Sequence, residues 1–196
     1  MTSSTISELL NKQINNELYS AYLYWDIAKH FECSNLKGIA HWYKLQAKEE
    51  ILHAAKFFDY MIDQGCMVKF TDIAGPGEKL EECFKVAETS SESCGSLNEK
   101  TEEGIMHEKN CKSAAEHLAA ARLALVHEKE ITQNIYTIFK EAMEEGDFRT
   151  MKFLGWFIEE QTEEEKNARE IKEKFKLIGS CTAALLEFDE CMGKRQ

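Results

Sequence analysis

A single proline, Pro76, interrupts 196 residues. Sheet proteins punctuate short strands with proline, glycine and hairpin dipeptides, and show alternating β-branched residues between them. Neither pattern is present, which excludes strands as the organising element. No run of about 18 apolar residues occurs, so no membrane-spanning helix is predicted. The N-terminus, Met1-Thr2-Ser3-Ser4-Thr5-Ile6-Ser7-Glu8, lacks the basic-then-apolar pattern of a secretory leader. A soluble, cytoplasmic protein is expected. Positive charge is also scarce: 24 Lys+Arg stand against 35 Asp+Glu, a net charge of -11, with no basic stretch dense enough to track a phosphate backbone. Nucleic acid and membranes are therefore not expected partners. The seven cysteines (33, 66, 83, 94, 111, 181 and 191) are odd in number, scattered, and never spaced as Cys-x-x-Cys. Free thiols in a reducing compartment follow.

What the chain does have is helical periodicity. Long helices are predicted from about Ser4 to Cys33, Asn35 to Gln64, Ser113 to Glu145 and Asp147 to Leu177, and a short one from Cys181 to Met192. Some thirty residues at 1.5 Å each make helices of about 45 Å, well above the usual length. The expected fold is all-α: a single domain, 1–196, built as an antiparallel four-helix bundle with a short fifth helix. The first two helices join through Cys33-Ser34-Asn35 and the last two long ones through Glu145-Gly146-Asp147. Nearly fifty residues separate the second from the third, whereas a crossover along the bundle needs only about fifteen extended residues. The surplus is an insertion at about 77–112. Within it Glu78 to Thr89 has a weak helical pattern (Leu80, Phe84, Ala87), and the Ser/Glu/Lys/Gly-rich Ser90 to Lys112 is predicted to be mobile.

Following each apolar stripe at three- and four-residue steps locates the chemistry. The first helix reads Leu10, Ile14, Glu17, Ala21, Tyr24, Ala28, Phe31; the second reads Ile39, Tyr43, Gln46, Glu50, His53, Phe57, Tyr60. The third reads Leu118, Ala121, Leu125, Glu128, Thr132, Ile135, Phe139; the fourth reads Leu154, Phe157, Gln161, Glu164, Ala168, Ile171, Phe175. Each stripe carries one acid near its middle. A lone glutamate on an inner face is more often a snorkelling or salt-bridged side chain, and a lone histidine a satisfied core residue. Four acids in register are different, because unpaired buried carboxylates each cost several kcal/mol and repel one another. Two divalent cations would supply four positive charges to Glu17, Glu50, Glu128 and Glu164. Oxygen ligands with one imidazole, His53 at i+3 from Glu50, suit iron or manganese better than a thiolate metal.

These residues resemble the non-haem ferritins, over nearly the whole chain outside the insertion. The resemblance rests on Asn15-Asn16-Glu17-Leu18 through Leu23-Tyr24, on Glu49-Glu50-x-x-His53-Ala54, and on Phe153-Leu154-x-Trp156-Phe157 through Glu160-Gln161-x-Glu163-Glu164. It implies a ferritin-like bundle in which Glu17, Glu50 and His53 hold a first iron and Glu50 bridges to a second held by Glu128. Gln161 and Glu164 would complete or border that second position, and Tyr24 would be a redox tyrosine beside the pair. Glu49, Glu160 and Glu163 match the acids of a third iron site, which points to the bacterial-type branch; on the residues alone they are flanking acids for which a solvated surface competes. The haem-binding branch is set aside: no second Glu-x-x-His follows Glu164, where Asn167 and Ala168 stand, and Leu52 occupies the haem methionine's position.

The implied activity is ferroxidase and iron storage: Fe(II) is oxidised by O2 or H2O2 at the paired site, and ferric mineral is deposited inside a hollow 24-subunit homo-oligomer. Cys181-Thr182-Ala183-Ala184-Leu185-Leu186 is similar to the segment that closes the cage's fourfold channel. Two rival readings remain. A di-iron oxidase or peroxidase of the same fold without storage would be expected to carry the second Glu-x-x-His. A helical scaffold without chemistry leaves four core carboxylates unexplained.

Overall fold

The computed structural model describes residues 2–77, 79–90 and 102–195, and among them every regular element is a helix. In chain order these are α1 (Ser4–Cys33), α2 (Lys37–Asp63), α3 (Lys79–Ser90), α4 (Glu102–Glu144), α5 (Phe148–Ile178) and α6 (Thr182–Met192). The architecture is the expected all-α one. Helices α1, α2, α4 and α5 form the four-helix bundle, with α1 packed most extensively on α2 and α4 on α5.

Local chemistry sets the helix ends. Ser3 caps α1 by accepting a hydrogen bond from the Ile6 amide at 3.2 Å, and Asp147 caps α5 by accepting from the Thr150 amide at 3.1 Å. Between α4 and α5 the chain reverses at Gly146, whose φ of 71° is a left-handed conformation that costs glycine little. The turn from α1 to α2 uses the same region at Asn35, φ 59°. Asparagine tolerates it better than most residues.

The crossover from α2 runs back along α1. Asn11 donates to the Met67 carbonyl at 3.1 Å and accepts from the Lys69 amide at 2.7 Å, and Asn15 donates to the Thr71 hydroxyl at 2.7 Å. Helix α3 then lies on α4, with Leu80 buried and the Phe84 ring 4.6 Å from that of His30. The predicted weak helix over Glu78–Thr89 is thus a helix with its own packing. The helix bounds differ from those expected: α3 runs to Ser90, and α4 starts at Glu102, eleven residues before the predicted Ser113. Residues 91–101 lie outside the described ones.

The apolar core is divided into two. One cluster includes Tyr24, Phe31, Ile39, Tyr43, Ala120 and Phe175; the other includes Ile6, Leu10, Phe57, Met61, Ile135, Leu154 and Phe157. Between them, at the mid-height of the bundle, lies a layer of buried polar side chains.

Candidate metal centre

Five residues of that layer are acids or a histidine, and each is at most 5% exposed: Glu17, Glu50, His53, Glu128 and Glu164. They are buried because each lies on the inner stripe of its helix, where the spacing that buries its apolar neighbours buries it as well. All four bundle helices contribute. Ligand atoms of Glu17, Glu50 and His53 lie within 4.8 Å of one another, close enough to share an ion, and His53 Nδ1 is 3.5 Å from Glu50 Oε2. No other group of three such residues is this close among the described residues.

Neutral polar side chains fix the carboxylates. Gln13, one turn before Glu17, donates to Glu17 Oε1 at 2.8 Å, and Gln161 donates to Glu128 Oε2 at 3.0 Å. The Tyr24 phenol donates to Glu128 Oε1. Thr132 donates to Glu165 Oε1 at 2.8 Å and to the Glu128 carbonyl at 3.0 Å. Two polar atoms remain without partners here: Glu17 Oε2 and the amide nitrogen of Gln46, both fully buried. The Gln46 amide lies toward Glu50 and Glu164 and favours their ionised forms.

The layer is electrostatically unbalanced. Burial, followed by repulsion from Glu50, pushes the Glu17 carboxyl well above its ordinary range. Burial, then the charges of Glu128 and Glu164, does the same to Glu50. Glu164 is pushed up to about 8 by burial and by Glu128, and Glu128 itself is raised by burial against the opposing hydrogen bonds from Tyr24 and Gln161. The Tyr24 phenol is raised by burial and by the Glu128 charge. Such a layer is costly as charged groups alone, and divalent cations are the economical remedy: they favour the ionised carboxylates and would engage the orphaned Glu17 oxygen.

The ferritin family, described as a ferritin-like domain, matches residues 7–178. The chain belongs to that family. Among curated relatives, the bacterial non-haem ferritin of Staphylococcus haemolyticus is 31% identical over 165 residues, 84% of this chain and 79% of that one. A probable bacterial non-haem ferritin-like protein of Haemophilus influenzae is 28% identical over 193 residues, 98% and 96% of the two chains. Among solved structures, the open pore ferritin of the hyperthermophilic archaeon Archaeoglobus fulgidus is 34% identical, covers 100% of both chains and superposes with a TM-score of 0.79. The resemblance to bacterial-type non-haem ferritins is thereby shown.

Within this ferritin bundle the sequence-derived residues are not equally placed. Glu17, Glu50, His53, Glu128, Glu164, Gln161 and Tyr24 meet in the buried layer. The three flanking acids stand outside it. Glu160 Oε1 is 4.0 Å from His53 Nε2, Glu163 is exposed, and Glu49 is held by Arg195 at 2.6 Å. Sequence reasoning did not single out Gln13, Gln46, Thr132 or Arg195. A signal exists for the first two: each glutamine stands four residues before a buried glutamate, one turn along the same stripe. For Arg195 no local signal exists.

Proposed function

We propose that this ferritin oxidises Fe(II) at the buried layer and stores the ferric product inside a cage of its own copies. The observation that carries the reading is the convergence of four buried carboxylates and one imidazole, one acid from each bundle helix, with no cationic side chain among them. Fe(II) is the substrate. Glu17, Glu50 and His53 would receive one ion, and Glu50 with Glu128 a second, Glu164 and Gln161 bordering it. Glu50 reaches both because it sits on α2 between Glu17 and the α4–α5 acids whose charges raise it.

Each Fe(II) gives up one electron, so a pair meets the two-electron demand of its oxidant. Dioxygen takes two electrons and two protons and leaves as hydrogen peroxide; hydrogen peroxide takes the same and leaves as two waters. His53 would be a neutral ligand that keeps the first ion from being over-neutralised, while Gln13 holds one Glu17 oxygen and leaves the other without a partner, and Gln161 and Tyr24 each hold one oxygen of Glu128. Tyr24, hydrogen-bonded to a ligand carboxylate and stacked 5.9 Å from Tyr43, is placed to donate an electron. Glu49, Glu160 and Glu163 are the acids that a third position would use. A negative surface, net charge -11, raises the local Fe(II) concentration and favours nucleation of hydrated ferric oxide.

Stopped-flow absorbance of ferric product tests this. Glu50→Ala and His53→Ala are expected to slow the fast oxidation by about a hundredfold or more while leaving the assembly's size unchanged. Oxidation at the unaltered rate in both variants would reject the site. Retention of iron through gel filtration after oxidation separates storage from an oxidase that releases it.

A further inference from the structure

The residues after α5 fold back onto α2 and α5. Helix α6 packs against α2 so closely that the Asp189 carboxylate accepts a hydrogen bond from the Ile39 amide at 2.8 Å, serving the start of a helix whose own N-cap, Leu36, has no side chain to do so. Beyond α6 the chain runs to Arg195, which is held on four sides. Its Nη2 pairs with Glu49 Oε2 at 2.6 Å, its Nη1 donates to Gln46 Oε1 at 3.0 Å, its guanidinium lies 4.7 Å over the Trp42 ring, and its carbonyl accepts from His41 Nε2 at 3.1 Å. Glu163 lines the same cavity, of about 320 Å³, with Arg195, Asn167 and Glu170. A cation is thus already seated on Glu49, with Glu163 lining the same cavity.

Two consequences follow from this geometry. First, Glu49 is neutralised by a bidentate-capable, always-charged group that a metal ion must displace to use the same oxygen. Second, Arg195 fixes the fully buried Gln46 by its oxygen, which turns the unpartnered amide nitrogen inward toward Glu50 and Glu164. An amide nitrogen facing that pair offers a cation no lone pair on its own side.

We propose that Arg195 is a specificity-determining residue which confines this chain to two buried metal ions, its guanidinium filling the position at Glu49 where a third would bind. The inference rests on the paired-site reading above. With Arg195 in place, Glu160 and Glu163 lack the third carboxylate needed to hold an ion, and iron passes them only in transit.

Redox-inert Zn(II) counts the ions without turnover. Isothermal titration of the full-length, metal-free protein is expected to give two tight sites per chain in the wild type, in Arg195→Lys and in Arg195→Ala/Glu49→Gln. Arg195→Ala alone is expected to give three, the extra ion binding at least tenfold more tightly than any third ion in the wild type. Anomalous scattering from zinc-soaked crystals places that ion beside Glu49. Equal stoichiometry and affinity in wild type and Arg195→Ala, whether two or three, would overturn the proposal, as would survival of the third ion in the double variant. Failure of the paired-site reading looks different: Zn(II) binding in the wild type would then be insensitive to Glu50→Ala and His53→Ala.

Discussion

At the residue scale, this protein keeps a group of acids in an environment that opposes their ionisation. Four carboxylates stand between two apolar clusters, and burial is the leading cause of the upward shift of every one. The consequence for stability has a definite sign. The Glu164 carboxyl titrates near its ordinary 4.5 when unfolded and at about 8 when folded, so between those values the folded chain holds a proton that the unfolded chain has released. Its contribution is fully present below pH 4.5 and is lost as pH rises through 8. The metal-free protein should therefore lose stability between pH 6 and 8.5, on the order of 2 kcal/mol from this group, measured as a falling Tm. Zn(II) should remove that slope, because the ions bind the deprotonated carboxylates. At pH 7 a hundredfold excess of Zn(II) over its Kd should add about 2.7 kcal/mol for each site filled. Glu50→Gln should raise the Tm of the metal-free protein and abolish most of the zinc effect. A lower metal-free Tm in that variant, with the zinc effect intact, would contradict the repulsion argument.

At the scale of elements, close approach of backbones decides where α6 lies. Gly38 opens α2, and a Cβ there would overlap the Asp189 carbonyl and come within 2.9 Å of the Gly193 nitrogen. Gly38→Ala should push α6 off the bundle at a cost of about 1–3 kcal/mol. Hydrogen exchange would show it as loss of protection over 182–192 with α1 and α5 unchanged. Helix α3 is a second added element, docked through Leu80 and Phe84. Its existence was legible from the Leu80, Phe84, Ala87 spacing, whereas the early start of α4 was not. Residues 102–112 mix Glu102, Glu103, Glu108, Lys109 and Asn110 around Gly104, leaving no apolar stripe to read. The packed, alanine-rich turns that follow carry the helix backward into them, since propagation is cheap once nucleated.

For the whole molecule, the surface of one chain is itself informative. Phe70, Phe148 and Leu177 are 73%, 77% and 81% exposed, the last two at opposite ends of α5. Assembly would bury such residues. Gel filtration with light scattering is expected to give a particle of about twenty-four times the 22.6 kDa chain, independent of iron loading. A monomer or dimer at micromolar concentration would leave the storage reading without a container. No helix among the described residues is long and apolar enough to cross a membrane.

The sequence by itself determined the bundle and the inner half of its chemistry. Helical periodicity is a local property, and a helix phase that buries Leu10, Ile14 and Ala21 has no choice but to bury Glu17; the same holds for Glu50, Glu128 and Glu164. Their roles as ligands remain a proposal built on that placement. Only the tertiary structure decided the outer half. Whether Glu49 faces water, an ion or another side chain depends on where a residue 146 positions further along the chain comes to rest. That is set by α6 seating on Gly38 and by the ring of Trp42, and no pattern along the chain encodes a contact between faces that meet only after folding.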